Sequence, residues 1–191
     1  NPIKKAADLI RRGKIVAVKG LGGYHLVVDA QNSAAVIRLR KRKMREEKPL
    51  AIMSVDLESI RKYARVRPDE ENLLTSILRP IVLLQKKTPS DISEAVAPRN
   101  KYWGVMLPYT PLHYLLLNHG FTALVMTSAN ITDEPIAIDN EDAFERLADI
   151  ADYFLVHNRD IYLRSDDSIV RHSEDHTRYI RRSRGFVPIP L

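Results

Sequence analysis

The 191-residue chain contains no cysteine, and it has few glycines (7) and a single tryptophan. Without cysteine it can form neither a disulfide scaffold nor a zinc site with thiolate ligands, and it cannot use a cysteine nucleophile. Apolar runs such as residues 81–84 and 123–126 are far shorter than the roughly 20 residues of a membrane-spanning helix. No secretory or transit signal is visible, so we expect a cytoplasmic location.

The composition is that of a folded globular protein, with 45% apolar and 28% charged residues. Lysine and arginine (30) outnumber aspartate and glutamate (24), which gives a net charge of +6. This excess permits an anionic partner without identifying one. The length favours one domain. Because the first residue is Asn1 and not methionine, we expect residues 1–191 to be one domain excised from a larger multidomain protein.

Five short apolar runs predict β-strands at residues 15–18, 50–55, 81–84, 123–126 and 153–156. The runs are continuous and do not alternate with polar residues, which is typical of strands covered on both faces. Residues 168–171 and 178–181 predict a late hairpin or edge strands. Helical patterns lie between several of the runs, so the sequence predicts an α/β fold with a mixed sheet.

The first helical pattern begins at Pro2, ends near Gly13 and has an apolar face formed by Ile3, Ala6, Ala7 and Ile10. Further helices are predicted at residues 33–42, 56–64, 68–78, 111–118 and 141–150. Residues 86–101 contain two prolines and scattered charges, and they predict a long loop within the domain.

A glycine-rich segment, residues 19–25 (KGLGGYH), follows the first predicted strand directly. Glycine allows a backbone to approach a ligand closely or to adopt a positive φ. The segment is neither a dinucleotide-binding fingerprint, because His25 occupies the third glycine position, nor a Walker loop, because no Gly-Lys-Ser/Thr follows. An ordinary glycine-rich turn is the alternative.

A dense basic segment, residues 38–48, contains seven lysines and arginines. Pro49 favours an extended conformation for Lys48, so we expect the preceding helix to end near Lys43. In an extended stretch, Lys43 and Arg45 would point to the same side, which is favourable when an anion lies between them. The alternative is a solvated basic face.

Two other segments carry polar groups. Ser128 and Asn130 follow the strand predicted at residues 123–126, at the carboxyl end where α/β sheets place ligands. They also fit an ordinary turn. The C-terminal tail brings Asp166, Asp167 and the run 181–185 (RRSRG) together in sequence. The paired carboxylates can bind magnesium, act as acid and base, or balance nearby arginines. We predict no protein metal site.

Six segments resemble, in chain order, the YrdC-like domain of the HypF carbamoyltransferases, which mature NiFe hydrogenases. They are residues 19–30 (KGLGGYHLVVDA), 39–53 (LRKRKMREEKPLAIM), 104–116 (GVMLPYTPLHYLL), 126–136 (MTSANITDEPI), 157–171 (HNRDIYLRSDDSIVR) and 181–190 (RRSRGFVPIP). The resemblance covers nearly the whole chain. The wider YrdC family carries a Lys-x-Arg, a Lys/Asn-Pro and a Ser-x-Asn, which are here Lys43-x-Arg45, Lys48-Pro49 and Ser128-x-Asn130.

Three details separate the chain from other YrdC proteins. Threonylcarbamoyl-adenylate synthases usually have Pro-Thr-x-Thr where this chain has residues 19–23 (KGLGG), which is similar to the HypF branch. Glu46 stands where a proline is common, and Thr132-Asp133 replaces the usual Ser-Gly. Both departures change loops and leave the candidate ligands in place.

The resemblance implies a single YrdC-like domain: a twisted mixed β-sheet flanked by helices, with a concave basic face for the ligand. It also implies an enzyme that joins ATP, brought with Mg²⁺, to carbamate, giving carbamoyl-adenylate and pyrophosphate. The carbamate derives from carbamoyl phosphate in an upstream acylphosphatase domain. A further domain passes the carbamoyl group to HypE, and the full protein also carries zinc fingers. We expect no membrane partner.

The same resemblance, together with the charge of the substrates, assigns roles to eleven residues. Lys43 and Arg45 are expected to be catalytic. The expected nucleotide-binding residues are Lys48, Ser128, Asn130, Arg182 and Arg184, and those that bind carbamate are Lys19, Gly22, Gly23 and Tyr24. Carbamate already carries a negative oxygen, so we expect catalysis by positioning and charge neutralisation.

Two alternatives remain. A threonylcarbamoyl-adenylate synthase, which serves transfer-RNA modification, would accept threonine and bicarbonate. A double-stranded RNA-binding module would use the net positive charge, but the chain has no signature of an RNA-binding module.

Overall fold

A computed structural model describes residues 1–130, 134–174 and 176–188 of the chain. The helices in these ranges are α1 (Pro2–Arg11), α2 (Ser33–Arg42), α3 (Leu57–Arg61), α4 (Pro68–Thr75), α5 (Pro111–Leu117) and α6 (Asn140–Arg146). The strands are β1 (Val16–Lys19), β2 (Tyr24–Asp29), β3 (Ala51–Met53), β4 (Ile81–Gln85), β5 (Tyr102–Met106), β6 (Leu124–Ser128), β7 (Tyr153–Leu155), β8 (Ile169–Ser173) and β9 (His176–Arg181). A short 3₁₀ helix covers Glu94–Val96.

The nine described strands form one mixed sheet in the order β7-β1-β2-β6-β3-β5-β4-β8-β9. The pairs β1–β7, β3–β5 and β4–β8 are parallel, and the other neighbouring pairs are antiparallel. The strands β7 and β9 form the two edges of the sheet. The α/β fold with a mixed sheet, predicted from the sequence, is therefore confirmed. None of the described helices combines the length and the apolar character that crossing a membrane requires.

Apolar side chains cover both faces of the sheet, because successive side chains of a strand point to opposite sides. On β2, Leu26 and Val28 pack in a cluster with the apolar residues of α2. The intervening Val27 packs in a second cluster with apolar residues of α1 and α5. This two-sided burial explains why the central strands are continuous apolar runs in the sequence.

A tight turn ends α2 and leads into a basic loop at residues 45–48. Lys43 caps the helix, and Met44 adopts a positive φ of 49°. The N–H of Arg45 donates to the carbonyl of Arg40 (3.0 Å) and that of Met44 to the carbonyl of Lys41 (3.2 Å), which is a Schellman motif. The extended conformation predicted for residues 43–45 is therefore wrong, because this turn reverses the chain instead. Lys43 and Arg45 nevertheless line the same cavity.

The five predicted strands and the late hairpin are confirmed, with the second strand shortened to Ala51–Met53. The helices predicted at residues 56–64, 68–78 and 141–150 are present but shorter. The sequence analysis missed β2 and β5. β2 follows the glycine-rich turn directly, and β5 contains Gly104 in its middle, where glycine weakens the strand pattern.

Candidate functional site

A cavity of about 530 Å³ opens on the face of the sheet that also carries α1 and α5. Ala51 on β3 and Gly104 on β5 lie on its wall, and because neither residue has an atom beyond Cβ they leave space above the sheet. The described charged residues on the wall are Lys43, Arg45, Glu46, Glu47, Lys48, Asp166, Asp167 and Arg181. Another part of the wall is apolar and contains Ile81, Leu83, Ile169 and Ile180. Its size is that of a small-molecule site, and its two kinds of wall suit a ligand with an anionic and an apolar part.

The basic loop at residues 45–48 is held by a buried arginine of α2. Arg40 donates hydrogen bonds to the carbonyls of Arg45 (2.8 Å), Glu46 (3.0 Å) and Lys48 (3.2 Å). It also bonds the carbonyls of Ala95 and Val96 in the 3₁₀ segment. A guanidinium has five donors in a fixed fork, so one side chain can fix five backbone oxygens. Burial lowers the pKa of Arg40.

Lys43 joins the end of α2 to the end of β6. Its Nζ donates to the carbonyls of Ser128 (2.7 Å) and Asn130 (2.5 Å) and to Asn130 Oδ1 (2.7 Å). Burial, and next the positive charges of Arg45 and Lys48, lower the pKa of Lys43 to about 7. The three oxygen acceptors oppose this shift, because they favour the ammonium form.

Arg45 reaches the cavity from the loop and is braced on three sides. It donates to the carbonyls of Lys48 (3.1 Å) and Pro49 (2.6 Å) and to Thr127 Oγ1 (3.3 Å). Burial, followed by the charges of Arg40 and Arg181, lowers the pKa of Arg45 to about 10. No described carboxylate forms an ion pair with Arg45, so its charge is available to an anionic ligand.

Ser128 and Asn130 lie together on the cavity wall, as the spacing predicts. Ser128 Oγ donates to Asn130 Oδ1 (2.9 Å), and Asn130 Nδ2 donates to the carbonyl of Glu134 (2.7 Å). The Thr132-Asp133 departure noted in the sequence lies outside the described residues.

The glycines of the turn between β1 and β2 are required by close packing. A Cβ on Gly22 would lie 2.6 Å from the carbonyl oxygen of Ser165, and one on Gly23 would lie 2.2 Å from Ile136 Cγ2. The carbonyl of Gly22 accepts from the N–H of Ser165 (3.0 Å). Both glycines line the cavity, so the turn forms part of its wall and also anchors the segment that contains Ser165.

Tyr24 and Lys19 flank this turn and are buried. Tyr24 lines the cavity, but its hydroxyl donates to Asn140 Oδ1 (2.6 Å) and its N–H to the carbonyl of Ala137 (2.9 Å). Burial, then the charge of Asp139, raises the pKa of Tyr24 to about 12. Lys19 is not on the cavity wall, and its Nζ lies 3.4 Å from the carbonyl of His157.

The tail arginines are placed differently from one another. Arg184 donates from Nε to Asp167 Oδ1 (2.9 Å) and from its other nitrogens to the carbonyls of Leu78 and Arg79, and it stacks 3.6 Å above the ring of Tyr109. Arg182 donates to the carbonyl of Phe186 (2.8 Å). Neither lies on the cavity wall.

Asp167 connects Arg184 to a histidine on the wall. Its Oδ2 lies 3.3 Å from His25 Nε2. Burial alone would raise the pKa of Asp167, but hydrogen bonds and charge from His25 and Arg184 hold it well below its usual range. The carboxylate therefore accepts a hydrogen bond from the Nε2–H of His25. His113 packs edge-on against His25, and burial lowers the pKa of His113 to about 3, with the charge of His25 as the next cause.

The described residues contain no cluster of three or more histidines, aspartates and glutamates able to hold a metal ion. Magnesium is a cation that binds through one or two carboxylates together with substrate phosphates and water. A magnesium ion that arrives with a nucleotide would therefore be held by the phosphates and by water.

Sequence reasoning missed Arg40, His25 and Arg181 as residues of the site. Arg40 had a signal: it lies four residues after Val36 on the buried face of α2, where an arginine needs partners. His25 was considered only for breaking a glycine motif. Arg181 was quoted within the basic tail, but nothing in the sequence shows which arginine of that run reaches the cavity.

Comparison with known proteins identifies the family and the relatives of this chain. The profile of the family described as Sua5_yciO_yrdC, telomere recombination, matches residues 8–183. The chain is 47% identical to carbamoyltransferase HypF2 of Cupriavidus necator, over 98% of this chain and 26% of that protein. It is 44% identical to carbamoyltransferase HypF of Rhizobium leguminosarum, over 100% of this chain and 26% of that protein. The chain thus spans about a quarter of the length of these curated relatives.

Solved structures give the same result. The crystal structure of T. kodakarensis HypF superimposes with a TM-score of 0.96 at 50% identity, over 100% of this chain and 25% of that one. A full-length HypF crystallised in a phosphate- and nucleotide-bound form gives a TM-score of 0.94 at 50% identity, over 97% of this chain and 25% of that one. The predicted resemblance to the HypF carbamoyltransferases is confirmed.

Proposed function

Since the chain belongs to the Sua5/YciO/YrdC family and is similar along its whole length to HypF carbamoyltransferases, we propose that it forms carbamoyl-adenylate from ATP and carbamate. A carbamate oxygen attacks the α-phosphorus of ATP. The new O–P bond forms while the bond from the α-phosphorus to the oxygen bridging to the β-phosphorus breaks, and pyrophosphate leaves with that oxygen.

The observation that carries this proposal is the cavity with its cationic and apolar walls. Lys43, Arg45 and Lys48 reach it from one loop, and Ser128 and Asn130 add a hydroxyl and an amide. The apolar wall around Ile81, Leu83, Ile169 and Ile180 suits the adenine base. Nucleotide binding is also what the full-length HypF relative shows in its own crystal structure.

The chemistry needs charge neutralisation more than acid–base catalysis. Carbamate is already an anion, and the phosphorus that it attacks is surrounded by negative oxygens. Fixed cations such as Arg45, whose loop is rigidly held by Arg40, lower the barrier by placing positive charge where negative charge accumulates. Mg²⁺ bound to the phosphates supplies further positive charge. Because Arg184 is engaged with Asp167, we propose that it supports the site through that residue and that Arg182 acts through the fold of the tail.

The carbamate is proposed to bind against the turn that contains Gly22 and Gly23, close to Tyr24. Tyr24 contributes its ring and not its hydroxyl, which is occupied by Asn140. Lys19 contributes by fixing the end of β1, because its ammonium lies beside the carbonyl of His157. The site must also exclude water, to which an acyl-adenylate is vulnerable.

The wider reaction belongs to the same proposal. Carbamoyl phosphate is the source of carbamate through an acylphosphatase domain, and a further domain transfers the carbamoyl group to HypE, in a cytoplasmic protein that also has zinc fingers. The basis is the identity with HypF carbamoyltransferases, of which this chain spans about a quarter.

The direct test is pyrophosphate release. We expect release with ATP, Mg²⁺ and free carbamate, and none with ATP, threonine and bicarbonate. Free carbamate is the appropriate substrate because an acylphosphatase activity is needed to use carbamoyl phosphate. Release with threonine and bicarbonate would show a threonylcarbamoyl-adenylate synthase instead; the mouse enzyme of that name is 26% identical over 73% of this chain.

The RNA-binding alternative has its own discriminating measurement. Binding through RNA phosphates weakens steeply as salt rises, because each neutralised phosphate releases counterions. We expect ATP binding to survive a moderate increase in salt. Double-stranded RNA binding that is tighter than ATP binding at both salt concentrations would favour the alternative.

A further inference from the structure

The last residue of β9, Arg181, lies on the cavity wall, whereas the two following arginines of the tail do not. Arg181 is paired in register with Ile169 of β8, which is also on the wall. Arg182 bonds the carbonyl of Phe186, and Arg184 bonds the carboxylate of Asp167. Of these three arginines, Arg181 is therefore the one that the fold directs at a ligand.

Arg181 and Arg45 both lie on the cavity wall. The charge of Arg181 is one of the causes that lower the pKa of Arg45, so the two guanidinium groups repel each other. The two cations reach the cavity from elements far apart in the chain, the loop after α2 and the end of β9. Such an arrangement is costly unless an anion lies between the two groups.

Asp166 is the anion already present beside Arg181. Its Oδ1 lies 3.5 Å from Arg181 NH1, and the two side chains are 44% and 40% exposed. An ion pair with this exposure and distance contributes little free energy. A phosphate offers the guanidinium two parallel hydrogen bonds, which is a stronger interaction.

We propose that Arg181 binds the polyphosphate of the nucleotide together with Arg45, and that Asp166 competes with the polyphosphate for Arg181. The inference rests on the proposed function, because it takes ATP to be the ligand. This competition makes the cavity selective for highly charged anions. An anion displaces Asp166 from Arg181 only when it binds Arg181 more strongly than a single carboxylate does.

This arrangement predicts effects of opposite sign for the two partners. Removing the charge of Arg181 removes a phosphate ligand and weakens binding. Removing the charge of Asp166 eliminates a competitor and a like charge close to the phosphates, so binding becomes tighter. If the ion pair were only structural, the two substitutions would change ligand affinity in the same direction, because the loss of either partner loosens the same contact.

The chain offers a matched control pair in the same hairpin. Arg178 lies on β9 three residues before Arg181, and its NH2 is 3.9 Å from Glu174 Oε2. Both side chains are exposed, and neither residue is on the cavity wall. The variants R178Q and E174Q therefore change the charge of the hairpin to the same extent as R181Q and D166N, without altering the cavity.

The experiment is calorimetric titration of all four variants and the unsubstituted chain with Mg-ATP and, separately, with inorganic tripolyphosphate, which lacks the nucleoside. We expect R181Q to weaken both ligands about tenfold and D166N to tighten both about threefold, with R178Q and E174Q unchanged. R181K, which keeps the charge but loses the fork, should fall between R181Q and the unsubstituted chain. Melting curves establish that each variant is folded.

The outcomes separate the inference from the proposed function. If the unsubstituted chain binds neither ATP nor tripolyphosphate, the proposed function fails. If it binds ATP but R181Q binds as tightly as R178Q, or D166N binds no more tightly than E174Q, the inference is overturned and the proposed function stands. Should R181Q fail to fold, R181K and the sign of the D166N effect still decide.

Discussion

Lys43 Nζ lies 2.7 Å from Asn130 Oδ1, so the lysine that ends α2 is bound directly to the asparagine that follows β6. The same Nζ bonds the carbonyls of Ser128 and Asn130, and Ser128 Oγ donates to the same Oδ1. Lys43 at the end of α2 and Ser128 at the end of β6, 85 residues apart in the chain, thus belong to one hydrogen-bonded unit. A change in either part is transmitted to the other.

Substitution of this unit should abolish the reaction and preserve the fold. We predict that Lys43→Ala and Ser128→Ala each reduce ATP-dependent pyrophosphate release by about 100-fold or more, because each breaks the hydrogen-bonded unit that positions the charged wall of the cavity. Lys41→Ala, on the exposed side of the same helix, is the control and should retain activity. Melting temperatures verify folding. Near-normal turnover in both variants would show that the site is assigned wrongly.

ATP binding should be linked to proton uptake through Lys43. Its pKa is lowered to about 7, and a neighbouring triphosphate raises it because opposite charge favours the ammonium form. Above pH 7 the free protein has lost a proton that the complex retains, so affinity falls as the pH rises. Well below pH 7, Lys43 is charged in both states and this dependence disappears.

Calorimetry at about pH 8.5, in two buffers with different ionisation enthalpies, measures this proton directly. We expect a fractional uptake that the Lys43→Arg variant abolishes, since arginine stays charged throughout this range. An uptake of the same size in Lys43→Arg would assign the proton to another group.

The Asp167→Asn substitution should change the tautomer of His25. Arg184 Nε donates to Oδ1 and therefore keeps an oxygen at that position, so the new amide N–H₂ faces His25 Nε2. An N–H cannot face another N–H donor, and the imidazole proton must move to Nδ1. Long-range ¹H–¹⁵N spectra distinguish the two tautomers. An Nε2-protonated ring in the variant would contradict this arrangement.

The same variant should lose about 3 kcal/mol of unfolding free energy, because it leaves Arg184 buried without its counter-ion. Denaturant unfolding measures this loss. Arg184→Gln should be destabilised to a similar extent, and the double variant should cost less than the sum of the two, because the residues form one pair.

Arg40→Lys should weaken ATP binding although Arg40 does not line the cavity. A lysine has three donors on one nitrogen and cannot reach the five carbonyls that the guanidinium holds, so the loop at residues 45–48 loosens. We expect a loss of about 2 kcal/mol in unfolding free energy and faster amide exchange in the loop.

Arg42→Lys provides the comparison on the same helix. Arg42 bonds Asp152 (2.7 Å) and the carbonyl of Ile150, away from the cavity. It should cost stability without a change in ATP affinity. Equal losses of affinity in Arg40→Lys and Arg42→Lys would indicate a general effect of destabilisation.

The sequence predicts most of the sheet because strands buried on both faces produce short, continuous apolar runs. Ser128 and Asn130 were also predictable, since their spacing at the end of a strand brings them together. The sequence does not show which of the three tail arginines reaches the cavity, because the direction of a side chain on β9 depends on how β9 pairs with β8. That pairing includes a register shift between Ile169 and Val170.

Buried charged residues account for the other differences between the predicted site and the observed one. The sequence does not show what Arg40 and Asp167 bind, because several of their partners are backbone oxygens or side chains far away in the chain. Lys43 was predicted as a cation facing a ligand, and the structure adds the three oxygen acceptors that hold it. Such contacts depend on tertiary packing and leave no pattern at short spacing.

The order in which the cavity wall appears along the chain has a consequence for synthesis. Gly22 and the basic loop emerge from the ribosome well before Ser165, Asp166, Ile169 and Arg181 do. Until β8 pairs with β4, the strand that contains the apolar residues Ile81 and Leu83 has no neighbour on its β8 side. During synthesis the chain therefore exposes an apolar, unpaired sheet edge and an incomplete cavity until the hairpin of β8 and β9 has been added.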